Sequence, residues 1–449
     1  MISYEFQTKD DVLEFLSEAE DIKFVIIASS DILGDLRGFS IPSYKVEDAL
    51  KDGKGFDGSS IEGLVRIEES DLIAKPDPKT FRVFPWKYGN HRVGMMFCDI
   101  LNPDGSHNEG DTRYVLKRTL EKAKNMGFDN FYVGPELEFF LFPDDKTPKP
   151  LDNGGYFSMG ADDPYAFLRQ NIVLNLEKMG ISSEFDHHEV APSQHEIDLE
   201  YTDALEMADI SMLFRFVVKE TAKREGVYAT FMPKPISEEN GSGMHVHQSL
   251  WKGNKNMFFD SDDEYHLSDI AKKYMSGLFK NINEITPVTN QWVNSYKRLV
   301  PGFEAPVYHT WGQRNRSTLI RVPEYQPGKE EATRIELRSP DSTCNPHLSF
   351  AVMLSAGLDG IKNDYELPPP TEENVYKNNK NLKTLPEGLE DALELTKESD
   401  LVRETLGEHI FNKFIENKEF QIKKYRAAVG YEYDKKVSPY EIKHNLRRL

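Results

Sequence analysis

The chain has 449 residues, with 55 lysines and arginines against 75 aspartates and glutamates, for a formal charge of −20. A hydrophobic share of 39% with 29% charged residues excludes a disordered polymer, and the length suits two or three domains around large cores. The acidic balance leaves no basic surplus for general nucleic-acid binding, although a few local arginines or metal ions can still hold one triphosphate.

No apolar run approaches the ~18 residues of a membrane span; the longest candidates are Phe24–Ala28 and Leu348–Leu358. Met1 to Asp11 carries no basic segment before an apolar one, so no secretory signal is expected. Cys98 and Cys344 are too few for a disulfide framework, read as small buried hydrophobes, and fit a reducing cytoplasm.

In chain order, Asp10–Ala19 has the periodicity of an amphipathic helix and Lys23–Ala28 reads as a buried strand. Glycines from Gly34 to Gly63 punctuate loops, Arg92–Ile100 reads as another strand, and Asn102-Pro103-Asp104-Gly105 is a turn. We place a domain boundary there: residues 1–105 form a β-rich domain with one helix, and residues 106–449 a larger domain mixing long helices with strands. Asp111 is placed to cap a helix ending at Gly127, and Asp163-Pro164 reads as the N-cap and first position of a helix closed by Gly180. Further helices are expected over Thr202–Glu225, Ser268–Ile285, Pro346–Lys362 and Ser399–Arg426, with Ser438-Pro439-Tyr440-Glu441 as the capping box of a last short one. Strand-like segments are Phe131–Phe142, Asp186–Leu199, Met244–Trp251, Ser317–Val322 and Thr333–Leu337, and Leu367–Leu385 reads as an exposed loop.

The chemistry-bearing residues cluster. Glu136 and Glu138 lie two apart in the apolar run Gly134–Phe142, hence on one strand face. Two desolvated carboxylates side by side need a cation between them, unless this is an edge strand with both acids in water. In Asp186–Glu196, a turn at Pro192-Ser193 would aim Glu189 and Glu196 at one point; the other reading is a surface loop. His245 and His247 share a strand face, as ligands or as structural residues, after Asn240-Gly241-Ser242-Gly243, whose backbone N–H groups could hold a small anion. Arg334, Glu336 and Arg338 share another face, as an anion site or a surface ion-pair ladder, with Arg298, Arg314, Arg316 and Arg321 nearby in sequence. Together these are mostly oxygen donors, suited to Mg²⁺ or Mn²⁺ rather than zinc or copper, plus arginines suited to phosphate and carboxylate. The residues by themselves point to a magnesium-dependent, ATP-using enzyme with an anionic substrate, and the absence of a Gly-x-x-x-x-Gly-Lys-[Ser/Thr] motif excludes a P-loop.

These segments, with Phe56-Asp57-Gly58-Ser59-Ser60-Ile61, Lys297–Pro306 and Asn315–Arg321, run in an order that closely resembles the glutamine synthetase family of the type I bacterial and archaeal class, over essentially the whole chain. The resemblance implies an α+β fold: a small N-terminal β-grasp domain, then a catalytic domain on a mainly antiparallel sheet. It implies ATP-dependent ligation of ammonium to the γ-carboxylate of glutamate through γ-glutamyl phosphate. Glu138, Glu189 and Glu196 match the ligands of one divalent ion, and Glu136, His245 and Glu336 those of a second. Asn240, Gly241, Arg298 and Arg338 match glutamate contacts; Glu184, His247, Ser249, Arg321 and Arg334 match ATP contacts. Arg316 matches the residue that balances charge on the transferring phosphoryl group, and Glu304 the flap over the site. Asp57 matches a general base lent by a neighbouring subunit, completing an ammonium site with Ser60, Tyr156 and Glu189.

The resemblance further implies a dodecamer of two stacked hexamers with active sites between subunits, the last helix (from Ser438) tying the rings. Tyr376 stands in a shortened loop and is expected not to be adenylylated, whereas Arg66 matches an arginine tied to glutamine feedback, implying control by metabolites or small regulatory proteins. The rival readings are a glutamate–polyamine ligase, which would need a different amine pocket, an inactive scaffold, which would lack metal ligands, and a guanidino kinase, which would leave Asp57 unexplained.

Overall fold

The computed structural model describes residues 6–64, 70–377, 381–430 and 436–448. The first part is a six-stranded sheet ordered Leu36–Pro42, Ile22–Ser30, Arg92–Leu101, Asp71–Pro76, Lys54–Asp57, with Arg82–Val83 paired to Arg92–Leu101. The β-branched strand Ile22–Ser30 runs parallel to Arg92–Leu101; the other pairs are antiparallel. Val12, Val25, Ile27, Leu50, Leu72 and Met96 form its core. Two helices cover it, Lys9–Glu18, opened by a Thr8/Asp11 capping box, and Val46–Asp52. The second corrects the one-helix expectation: seven residues are too short for periodicity to reveal.

The second part is built on an eleven-stranded sheet. Its path runs Tyr228–Thr230, Phe139–Phe142, Gln194–Leu199, Asn130–Leu137, Met244–Lys252, Ile335–Leu337, Ile320–Val322 and Trp311–Gln313, antiparallel except for the last pair. Helices Thr112–Asn125, Ala204–Arg224, Asp269–Thr289 and Pro346–Asn363 share one apolar core with it, through residues such as Phe131, Leu137, Val246 and Ile335. The last two helices cross at Gly277 and Gly360, where any Cβ would strike the facing backbone. Arg113 ties the two sheets together, donating to Asp99 (2.7 Å) and Asp77 (2.8 Å) of the first part and to Asp209 (3.0 Å) on the Ala204–Arg224 helix.

Four further expectations need correction. The helix after Asp163-Pro164 is Ala166–Glu177, and the Asp163 carboxylate is not its cap, because the Arg169 guanidinium takes both oxygens (2.6 and 2.9 Å). Ser399–Arg426 is two helices, Asp400–Leu406 and Glu408–Val429, broken at Gly407 with φ 81°. Leu389–Lys397 is an additional helix. The run Phe131–Phe142 is interrupted at Glu138, whose backbone N–H donates to Gly243 O (3.2 Å). Cys98 and Cys344 are free and buried, and among the described residues no helix is long and apolar enough to cross a membrane.

Candidate active site

Strand register assembles the centre of the site. Glu136 pairs with Asp198 on one neighbouring strand and with His245 on the other, while Glu336 pairs with His247 and with Arg321. Residues opposite each other across a sheet point to the same face, so five segments far apart in sequence deliver acids, imidazoles and a guanidinium to one place. The ligand-type atoms of Glu136, His245 and Glu336 lie within 4.8 Å of one another. His245 Nδ1 is 3.0 Å from Glu136 Oε2, and His247 Nε2 is 2.8 Å from Glu136 Oε1. Arg321 Nη1 and Arg338 Nε donate to the two oxygens of Glu336 at 2.6 and 3.0 Å. Burial opposes ionisation of Glu136, yet His247 and His245 hold its carboxyl well below the usual range. Burial and the Glu136 charge oppose ionisation of Glu336, and Arg338 with the imidazoles nevertheless lowers its carboxyl.

The second group of acids comes from the hairpin of Ser183–His188 and Gln194–Leu199. Its turn is made by Ser193 at φ 62°, pinned by its N–H to Asp152 Oδ1 (2.8 Å), so Glu189 and Glu196 do face a common point. His187 stands 3.6 Å from a carboxylate oxygen of each. Glu138 faces the same cleft and accepts from Gln194 Nε2 (2.7 Å) and Gly243 N (3.0 Å). Burial and the Glu138 charge push the Glu189 carboxyl up to about 9; burial and its acidic neighbours push Glu196 well above the usual range. Asp198, also in the cleft, is pushed up by burial to about 7.

Arg298 and Arg338 line the cleft with Asn240 and Gly241. Arg298 is buried and held by the carbonyls of Ser339 (2.7 Å) and Pro340 (3.1 Å). Arg338 Nη1 and Arg321 Nε are buried N–H groups with no hydrogen-bond partner among the described residues, so they are free to donate to a ligand. The Asn240–Gly243 loop is not a free anion nest: Ser242 N donates to Pro233 O (2.8 Å) and Gly243 N to Glu138. The glycines serve close packing instead, since a Cβ on Gly243 would strike the Arg298 guanidinium.

Beyond Glu136, Arg316 and Arg321 the cleft continues into a chamber of about 660 Å³. Glu184, His247, Ser249 and Arg334 line it, as do the aromatic rings of Tyr132, Tyr201 and Tyr325. Arg334 Nε donates to His247 Nδ1 (3.1 Å). That volume suits a nucleotide-sized ligand. At the mouth, Glu304 is an exposed loop residue at φ 56°, and Arg316 Nη2 donates to Tyr156 Oη (3.1 Å). Tyr376 Oη donates to Ala305 O (2.9 Å) beside Glu304.

Asp57 and Ser60 are not brought to the cleft within one chain. Asp57 ends an edge strand, exposed, with its carboxylate accepting from Ser59 Oγ (2.6 Å) and Ser59 N (2.9 Å), which lower its pKa. Arg66 lies outside the described residues. Sequence reasoning passed over Asp198, His187 and Gln194. The first was signalled by its i+2 spacing from Glu196, and the other two by flanking the acids already singled out.

Two family models cover the chain: the glutamine synthetase β-grasp domain over residues 21–103 and the glutamine synthetase catalytic domain over residues 109–436. The chain is 50% identical to a glutamine synthetase of Mycolicibacterium smegmatis, over 98% of this chain and 99% of that one. It is 47% identical to one of Methanosarcina mazei, over 98% of both. The structure superposes on the solved glutamine synthetase of Plasmodium falciparum with a TM-score of 0.85 at 26% identity, covering 99% of this chain and 100% of that one. With a β-grasp domain ahead of an antiparallel catalytic sheet, and with that degree of identity from end to end, the chain belongs to the glutamine synthetase family.

Proposed function

We propose that the chain ligates ammonium to the γ-carboxylate of glutamate, converting ATP to ADP and phosphate by way of γ-glutamyl phosphate. The observation that carries this reading is the single cleft in which buried, mutually repelling carboxylates face arginine N–H groups lacking an acceptor, continuous with a nucleotide-sized chamber.

The donor set fits hard divalent cations, because five carboxylates and one imidazole offer mostly oxygen atoms, and Glu189 and Glu196 among them face chiefly other acids. In our reading Glu138, Glu189 and Glu196 hold one Mg²⁺ or Mn²⁺, and Glu136, His245 and Glu336 a second. Bound there, such ions neutralise phosphate charge and polarise the phosphoryl group. ATP occupies the chamber against Glu184, His247, Ser249, Arg321 and Arg334. Glutamate lies on Arg298, Arg338, Asn240 and Gly241, its γ-carboxylate oxygen attacking the terminal phosphorus while ADP leaves. Arg316 offsets the negative charge shared between the two anions.

The acyl phosphate is then open to attack by an amine. Ammonium is collected by Tyr156 and Glu189 together with Asp57 and Ser60 of a neighbouring chain, and that aspartate takes its proton. The ammonia nitrogen attacks the acyl carbon, phosphate departs with the bonding electrons, and the extra N–H proton of the adduct passes to the departing phosphate, leaving the amide. Glu304, on a loop at the mouth, closes to keep water out. The need for a second chain's Asp57 supports active sites between subunits, which a dodecamer of stacked hexamers supplies. In the same reading the domains divide after residue 105, the enzyme works in the cytoplasm, and Arg66 takes part in feedback by glutamine or in contact with small regulatory proteins.

The test is product analysis with purified protein. Glutamine and ADP should form in equal amounts, requiring glutamate, ammonium, ATP and a divalent ion together. ADP release without glutamine, or amidation of another amine in preference to ammonium, would overturn the reading.

A further inference from the structure

We propose that Lys234 is a positioning residue that clasps the substrate loop to the flap: its ammonium donates to the Glu239 carbonyl, just before Asn240, and stands 3.6 Å from the centroid of the Phe303 ring, next to Glu304. The inference rests on the function proposed above and adds a residue to its machinery.

Lys234 is 1% exposed, which is costly for a cation unless its charge meets partners. A methionine would fill the same volume without that cost, so the retained charge calls for a reason. Its backbone is fixed at both ends by Asn294, whose Oδ1 accepts from Lys234 N (2.8 Å) and whose Nδ2 donates to Lys234 O (3.0 Å). Asn294 immediately precedes the short helix Ser295–Arg298 that carries Arg298, and its Nδ2 also reaches Glu441 Oε1 (3.0 Å). Glu441 in turn accepts from the buried Lys297 (2.5 Å). The stem of Lys234 therefore starts from a rigid base on the substrate side of the cleft.

From that base it reaches two segments of irregular backbone. One is the loop bearing Asn240 and Gly241, already held at its far end by Ser242 N on Pro233 O (2.8 Å). Nζ on Glu239 O holds the near end, so residues 233 and 234 bracket the loop. The other is the flap, where a cation over the face of Phe303 is a directional contact that does not require a backbone partner. The flap is thereby referenced to the same base as the loop that receives glutamate.

The consequence concerns the fate of γ-glutamyl phosphate. With the flap displaced, water adds to the acyl carbon, phosphate leaves with the bonding electrons, and the added water's protons pass to solvent and phosphate. The products are glutamate and phosphate, and one ATP is consumed with no glutamine formed.

The experiment compares Lys234→Met, Lys234→Arg and Phe303→Leu with the native protein, measuring KM for glutamate and for ATP and the ADP-to-glutamine ratio. We expect Lys234→Met to raise KM for glutamate about tenfold, leave KM for ATP within about twofold, and raise the ratio severalfold above one. Lys234→Arg, which keeps the charge, should return most of the loss. Phe303→Leu, on a partly exposed flap where folding is not at stake, should raise the ratio as well, and the double variant should be no worse than the worse single one. An unchanged ratio in Phe303→Leu, additive effects in the double variant, or failure of Lys234→Arg to restore KM would each overturn the clasp. If the native protein forms no glutamine, the function proposed above falls and takes the clasp with it; a native protein coupled one to one isolates the clasp as the claim under test.

Discussion

Two groups of acids share one cleft and are built in opposite ways. Glu136 and Glu336 meet cationic or imidazole partners supplied by the protein: His245, His247, Arg321 and Arg338. Their carboxyls are lowered, so the group is charged as folded. Glu189 and Glu196 face chiefly other acids and are raised, Glu189 to about 9. The first group has its charge met by neighbours within the fold, whereas the second does not. The contrast teaches that a candidate ligand set cannot be judged by residue types only: the partners already present decide whether a carboxylate is ionised in the fold by itself or depends on a cation to become so.

The most severe way to break this contrast is Glu336→Ala. It would strand Arg321 and Arg338 without their shared counter-charge, in a buried place, and leave His245 with Glu136 as its nearest acid. Removing one partner of a buried pair costs about 3–5 kcal/mol. Urea unfolding of the metal-free protein should show a loss of that size, and a loss under about 1 kcal/mol would mean that water compensates the site.

A smaller effect separates the groups by pH. The Glu189 carboxyl, raised from 4.5 to about 9, keeps in the native state a proton that the unfolded chain gives up. Its contribution to stability is fully present below the unfolded pKa and is lost as pH rises toward 9. A divalent ion replaces that proton, and binding at a hundred times Kd stabilises by about 2.7 kcal/mol. Thermal melts with Mg²⁺ against a chelator should therefore show a larger gain at pH 8 than at pH 6. Equal gains would place the ion elsewhere.

Much of this was visible in the sequence as chemistry and little of it as geometry. Spacing put Glu136 and Glu138 on one face, and both reach the cleft, although the strand breaks at Glu138, whose N–H donates to Gly243 O. The turn at Ser193 was readable because Pro192-Ser193 is turn chemistry. The pairing of Glu336 with His247 and Arg321 was not, since register between distant strands depends on the whole sheet. The resemblance to a family, rather than periodicity, grouped the ligands into two sets. Lys234 escaped notice because a lone lysine in Met232-Pro233-Lys234-Pro235 carries no pattern, and only burial shows that its charge is retained against a cost. Asp57 illustrates a different limit, as its proposed role belongs to the assembly and one chain leaves it in solvent.

The gentlest change gives the sharpest comparison. Glu138→Gln keeps the length of the side chain and one carbonyl oxygen for Gly243 N or Gln194 Nε2, but removes a negative charge that raises Glu189 and Glu196. In the metal-free protein that relieves repulsion, so stability at pH 8 should hold or rise, opposite in sign to Glu336→Ala. Divalent affinity should fall about tenfold, equivalent to about 1.4 kcal/mol, because an anionic oxygen donor becomes a neutral one. A manganese titration and a melt with chelator on the same sample decide the matter. Undiminished affinity would remove Glu138 from the ligand set, and a destabilised metal-free protein would show that its charge is neutralised within the fold, erasing the distinction between the two groups.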